Sequence, residues 1–502
     1  MIKSYYLKTV YVFEGFLFFY NLILIILIYL RIIFLEYLFF LLKNTVKAVA
    51  GRRIGDRIML KRIISSVLCA AAILPSAACG KKDESGQVYF LNFKPEIADI
   101  YKKVAADYKK ETGKSVKVVT AASGTYEQTL KSEIAKTNPP TIFQVNGPIG
   151  YSSWKDYCTD LSGTELYKTL SDKDMAIKSE GGIYAIPYAV EGYGIIYNDA
   201  VMRKYFSLPD RKSSLSSAEQ INSFEKLSEV VSDMQEKKDL LGIDGVFAST
   251  SLGSGEQWRW HTHLANIPFY HEFEEDNPSQ STITTGVEAQ TVKFEYSDNY
   301  KRIFDLYTDN SVIDKKLLGG KSTSDAMAEF ALGKCAMVQN GDWAWAQIKE
   351  VGGNTVSEDD IKFMPIYMGF KGEENQGLCI GTENYIAVND KADEASKAES
   401  VAFLEWLFTS DTGKKYVSDE LGFNAPFSSF TENERPSDPL GRQVIEWSSS
   451  GKDNIEWTFL SFPSEEFKNY FGDALLQYVQ GNSDWENVKE TVIEKWKSER
   501  SK

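Results

Sequence analysis

From Gln87 onward, apolar and polar positions alternate between two periods. Gln87 to Leu91 is a short strand-like run. Pro95 then opens a helix, in keeping with its preference for the first turn. Ile97, Ile100, Tyr101, Val104, Ala105 and Tyr108 recur at helical spacing, and Gly113 closes the segment. Val116 to Val119 predicts a buried strand, about Tyr126 to Thr137 a second helix, and Thr141 to Val145 a third strand. Strand, helix, strand, helix, strand implies a parallel sheet with covering helices. Ligands of such sheets bind beyond the carboxyl ends of the strands. That rule makes candidates of Asn92 and Lys94, Ser123 and Gly124, and Gln144 and Asn146. The polar stretch Asp276 to Thr285 predicts a surface loop.

Upstream, the pattern is that of targeting rather than folding. Met59, Lys61 and Arg62 precede a short apolar run from Ile63 to Leu74, and Ser76, Ala77 and Ala78 lead into Cys79. The run is too short to span a bilayer, which takes about 20 apolar residues. A cysteine directly after small residues is the pattern of a lipoprotein signal, in which the thiol is acylated and becomes N-terminal. Ser76 stands three residues before Cys79, where that pattern carries Leu; an ordinary secretory signal is the alternative. Lys81 to Gly86 forms a polar tether. Residues 1–58 contain a second apolar stretch, Phe16 to Leu30, followed by Arg52, Arg53 and Arg57. They are expected to be an upstream extension of a frame that starts at Met59. The expected organisation is 59–78 signal, 79–86 tether and a body long enough for two domains.

Asp and Glu total 70 against 56 Lys and Arg, a net charge of −14, which argues against a nucleic-acid partner. Of five cysteines, Cys158, Cys335 and Cys379 lie in the body, without metal-like spacing. One disulfide is compatible with that count; a disulfide framework is not.

Three separated segments carry a resemblance. The first is Tyr184-Ala185-Ile186-Pro187-Tyr188 with Val190-Glu191 and Ile195-Ile196-Tyr197-Asn198. The second runs from Phe330 through Gly333-Lys334-Cys335-Ala336-Met337 to Asn340-Gly341-Asp342-Trp343-Ala344-Trp345. The third joins Glu399 to Leu407 with Ser410-Asp411-Thr412-Gly413 and Gly422-Phe423-Asn424-Ala425-Pro426. In this order they resemble the family 1 extracellular solute-binding proteins of ABC importers, over Gln87 to Lys502. The resemblance implies an α/β, two-lobed flytrap with hinge strands, each lobe built on its own sheet. Lobe one would be 87–192 plus 377–430, and lobe two 193–376 plus 431–502. It implies a monomer without enzymatic chemistry or cofactor, held by lipid at the outer face of a bacterial cytoplasmic membrane. The loaded form would dock on an ABC permease.

A pyranose offers an apolar C–H face and a rim of hydroxyls, so its site needs flat aromatics beside donors and acceptors. Ser254-Gly255-Glu256-Gln257-Trp258-Arg259-Trp260 brings both together, and as an extended segment would put Glu256, Trp258 and Trp260 on one face. By resemblance to the family's maltose-binding members, Trp343 matches a sugar-stacking tryptophan, Glu256 and Trp258 an acid–aromatic ligand segment, and Glu191 a hinge acid. Asn92 and Lys94 fall where that family places polar contacts. Gln144 and Asn146 replace aromatic and charged ligand residues by amides, which points away from maltose. Glu383 and Asn384 are candidate rim contacts. A lone tryptophan is more often packing than platform, and Trp260, Trp345 and Tyr188 are read as packing.

Three rival readings remain at this level. His261, His263 and His271 form the only histidine group, and the first two could make a metal pair on a strand. Abundant acids and tryptophans are compatible with a glycoside hydrolase, which needs two carboxylates at a set separation. A polyamine cargo would need converging acids, for which Glu191, Glu256 and Asp342 are available.

Overall fold

The computed structural model describes residues 86–122, 124–382 and 384–502. The signal, Cys79, residues 1–58, Ser123 and Glu383 lie outside the described residues.

The first sheet contains β1 (Val88–Asn92), β2 (Val116–Thr120) and β3 (Ile142–Asn146). Between them run α1 (Ala98–Thr112) and α2 (Tyr126–Ile134), and α3 (Gly147–Trp154) follows β3. All five residues of β1 are buried, as expected of a strand covered on both faces. Tyr101, Val104 and Tyr108 of α1 pack into that core, and Gly113 ends the helix at φ 77, a left-handed conformation that suits glycine. β1 pairs in parallel with β2 and β3, so their carboxyl ends meet on one side.

The second sheet is built on β4 (Glu191–Asn198). It also holds β5 (Gly245–Phe247), which precedes helix α4 (Ala265–Asp276) and helix α5 (Thr323–Ala331), then β6 (Cys335–Gly341) and β7 (Ile361–Met364). β8 (Gln376–Gly381) follows in that sheet, and β9 (Asn384–Val388) closes the first sheet before α6 (Glu394–Thr409). Last come β10 (Asp453–Ile455), α7 (Glu465–Gln480) and α8 (Trp485–Arg500). The orders are β9-β3-β1-β2 and β10-β8-β4-β6-β5, with β7 paired to β4. Two sheets, each with its own helices and core, make two lobes.

The crossings position the site. Ile186 bridges to Ile386 in the first lobe and Val190 to Asn424; the next residue, Glu191, opens β4 in the second sheet. β8 returns the chain through Thr382 to β9, where Asn384 pairs with Asn146. The expected boundary at 377 therefore falls at the wrong end of β8, whose Cys379 and Gly381 pair with Tyr193 and Glu191. β4 is held closely: a Cβ at Gly194 would stand 2.5 Å from the carbonyl oxygen of Met364.

One further expectation is corrected, and the cysteines are placed. The stretch read as a loop over 276–285 starts a helix at Thr282–Glu288, with Thr282 buried and bonded to Glu456 and Thr458. Cys158, Cys335 and Cys379 are buried free thiols, the first in the first lobe and the other two on β6 and β8 of the second sheet.

Candidate functional site

The turn after β1 is organised by Asn92. Its Nδ2 donates to the Lys94 carbonyl at 2.7 Å and to Thr120 Oγ1 at 3.1 Å, and its Oδ1 accepts from the Lys94 N–H at 3.2 Å. Asn92 is fully buried, so its amide serves the loop. The loop delivers Lys94, whose Nζ donates to Glu191 Oε1 at 2.6 Å. Both side chains are 7% exposed, and Nζ also lies 5.3 Å from the centre of the Trp343 ring. The pair thus joins the first lobe to the first residue of β4. Asp342, just past β6, accepts from the Gly192 N–H and is also buried. Burial, then the charges of Glu191 and Asp438, hold its carboxyl well above the usual carboxylate range, with Lys94 opposing.

Facing this pair is an aromatic wall, all of it from the second lobe. Arg259–Leu264 forms a π-helical turn leading into α4, a local widening often met at functional sites. It sets the His263 ring parallel to Tyr193, 4.3 Å away at 8°. Trp258 stands edge-on to His263 at 4.9 Å, Trp343 is 5.5 Å from it, and the two tryptophans are 6.2 Å apart. Trp457 and Phe459 complete the wall at 6.3 and 5.4 Å from His263. Burial, then Arg259 and His261, keep the His263 imidazole neutral, its pKa far below the ordinary value. Trp258 and Trp343 are only half-buried, whereas Trp260 and Trp345 are core residues, 2% and 5% exposed.

The expected extended face over 256–260 is not present, because the chain coils there. Glu256 Oε2 accepts from the Thr323 N–H at 3.0 Å and from Thr323 Oγ1, tying the carboxylate to the start of α5. Arg259 lies over the Trp258 ring at 3.8 Å and donates from Nη1 to Thr323 Oγ1 at 2.6 Å. Gln144 Oε1 accepts from the Phe93 N–H at 2.6 Å, while its buried Nε2 has no acceptor. Asn146, half-buried, and Asn384, buried, face each other in register at the same end of the first sheet. Tyr188 is core, edge-on to Phe423.

The lobes touch on either side of this wall. A Cβ on Gly124 would meet the Gly255 carbonyl oxygen at 2.5 Å, and one on Gly147 would meet Leu460 at 3.0 Å. Sequence reasoning raised Gly124 but missed Gly255, His263 and Arg259 as parts of the site. His263 had been considered with His261 and His271 as one group. Instead, His263 is stacked in the wall, His261 bonds Thr262, and His271 packs on Phe370 at 3.9 Å.

A family model described as bacterial extracellular solute-binding protein matches residues 103–439. The chain belongs to the bacterial extracellular solute-binding proteins. This solute-binding protein is 23% identical over 371 residues to the multiple sugar-binding protein of Streptococcus mutans, covering 70% of this chain and 78% of that one. Its fold matches that of a chitin oligosaccharide binding protein with a TM-score of 0.64 and 18% identity, covering 84% of this chain and all of the other. It also matches a sugar transporter from Bacillus licheniformis, solved with stachyose, at TM-score 0.60 and 15% identity over 82% of this chain and 100% of that one.

Proposed function

We propose that this solute-binding protein captures a sugar or oligosaccharide between its lobes and hands it to the membrane permease of an ABC importer. One observation carries the reading. The half-buried faces of Trp258 and Trp343 stand at the junction of the lobes, opposite a buried Lys94–Glu191 pair. Flat rings take the apolar face of a pyranose, and the surrounding amides and charges address its hydroxyls. The names of the relatives point to the same ligand class. The protein binds cargo without transforming it. Lipid attachment through Cys79 at the outer face of the membrane fits this role; among the described residues no helix is long and apolar enough to cross a bilayer.

A polyamine cargo is less well supported. The acids it would need are committed: Glu256 to Thr323, Glu191 to Lys94, while burial drives Asp342 toward its neutral form.

A thermal-shift screen of residues 80–502 against mono- and oligosaccharides, with spermidine and zinc included, tests the reading. A ligand at a hundredfold excess over Kd adds about 2.7 kcal/mol to apparent stability. A shift with one sugar series is expected; a shift with spermidine or zinc and none with sugars would overturn it.

A further inference from the structure

Arg259 is only 1% exposed, and most of its hydrogen-bonding capacity is unspent. Nη1 donates to Thr323 Oγ1, but neither Nε nor Nη2 has an acceptor within reach. These two nitrogens form one edge of the guanidinium, the edge whose parallel N–H bonds grip two adjacent oxygens at once. Buried donors without acceptors are costly, and guanidinium donors more so because they carry charge. Burial pulls the Arg259 pKa down to about 9, although Glu256 and Glu96 push the other way.

Its surroundings place this guanidinium between the lobes. The guanidinium covers one face of Trp258, whose ring centre lies 6.2 Å from that of Trp343. Of the two carboxylates whose charge acts on it, Glu256 belongs to the second lobe, but Glu96 follows β1 in the first. Arg259 therefore sits where the two lobes come together, held at one nitrogen by α5.

Resting on the sugar-capture reading above, we infer that Arg259 is a ligand-contacting, specificity-determining residue, its Nε–Nη2 edge donating to two neighbouring hydroxyls of a pyranose. A carboxylate would fit the same edge. The neighbourhood favours a neutral diol, since Glu96, Glu191 and Glu256 already outnumber Lys94 and Arg259 there. The cleft accordingly selects sugars with a free vicinal diol next to the stacked ring and discriminates against uronates.

The test compares wild type, Arg259→Met and Arg259→Lys by calorimetric titration with raffinose, maltotriose, xylotriose and digalacturonate, together with the melting temperature of each unliganded protein. The expected result is that a neutral trisaccharide binds wild type and that Arg259→Met weakens it about 10- to 100-fold. The unliganded melting temperature of Arg259→Met should hold or rise, because the apolar side chain leaves no buried donor wanting. Arg259→Lys, which keeps the charge and the stem but not the fork, should also bind more weakly, and it serves as the test should the methionine variant fail to fold. Unchanged affinity in these variants, or a lower melting temperature with affinity intact, would make Arg259 a structural strut and overturn the inference. Preferred binding of digalacturonate would overturn the neutral diol. If no sugar of either kind binds wild type, the capture reading itself fails, and the inference with it.

Discussion

The two lobes supply the cleft in different ways. The first lobe brings polar groups that are largely spent on their own loops: Asn92 holds the turn of Lys94, and Gln144 holds Phe93. Its Lys94 reaches across and is committed to Glu191 on the other sheet. The second lobe brings a wall of aromatic surface around His263, with Trp258 and Trp343 half-exposed. One side is thus built as a rigid, hydrogen-bonded frame and the other as an adhesive surface. The difference teaches that affinity and closure have separate sources. In the proposed capture the aromatic surface holds the cargo, and the polar frame ties the lobes together through Lys94 and Glu191.

The largest effect that sharpens this contrast is on folding. Lys94→Met leaves Glu191 buried without its cation and is expected to lower stability by about 3–5 kcal/mol, read from chemical denaturation. The double change Lys94→Met/Glu191→Leu should recover most of that loss, since an apolar pair carries no desolvation cost. If the double variant is no better than the single one, the pair is more than a mutual charge balance.

Two neighbouring tryptophans break the comparison more finely. Trp345→Ala empties a core position and is expected to cost about 3–5 kcal/mol of stability. Trp343→Ala should leave stability within about 1 kcal/mol and weaken oligosaccharide binding about 100-fold, which is about 2.7 kcal/mol. Equal effects of the two on stability would merge platform and core.

Closure is addressed by a matched pair of glycines. Gly124 and Gly255 both have positive φ, 68° and 79°. Only at Gly124 would a Cβ strike the opposite lobe; at Gly255 it meets open space. Both alanine variants carry the same backbone strain, of order 1 kcal/mol. Small-angle scattering of saturated protein should show Gly124→Ala more expanded than Gly255→Ala, with weaker binding. Identical profiles would mean that the lip contact does not limit closure.

The smallest effect is a pH response outside the wall. Burial lowers His271 from 6.5 to about 4. A base whose folded pKa is depressed binds its proton in the unfolded chain first, so its contribution is complete above about 6.5 and is lost as pH falls toward 4. Between pH 7 and pH 5 the stability of His271→Phe relative to wild type should rise by about 2 kcal/mol. The phenylalanine would replace one ring packed on Phe370 by another. A constant difference would remove the titration from the account.

The parts legible in the sequence were those set by local rules. β1, α1, β2, α2 and β3 follow from period and caps, with Pro95 and Gly113 near where they were expected. Trp260 and Trp345 as packing agree with the exposures. What escaped depended on long-range pairing. β8 could be assigned to the second sheet only once its partners Tyr193 and Glu191 were known. Glu256 reads as a free carboxylate until Thr323, 67 residues on, turns out to hold it. His263 was invisible as part of the wall because a π-helical turn, rather than an extended segment, sets its direction.

The claim on which the rest depends is that Trp258 and Trp343 receive the flat face of a sugar ring. Saturation-transfer-difference NMR, with the oligosaccharide that gives the largest thermal shift, reads that contact atom by atom. The strongest transfer is expected to the C–H protons of one ring face, abolished in Trp343→Ala and retained in the surface variant Leu317→Ala. Uniform transfer over the ligand, or a pattern unchanged in Trp343→Ala, would contradict it.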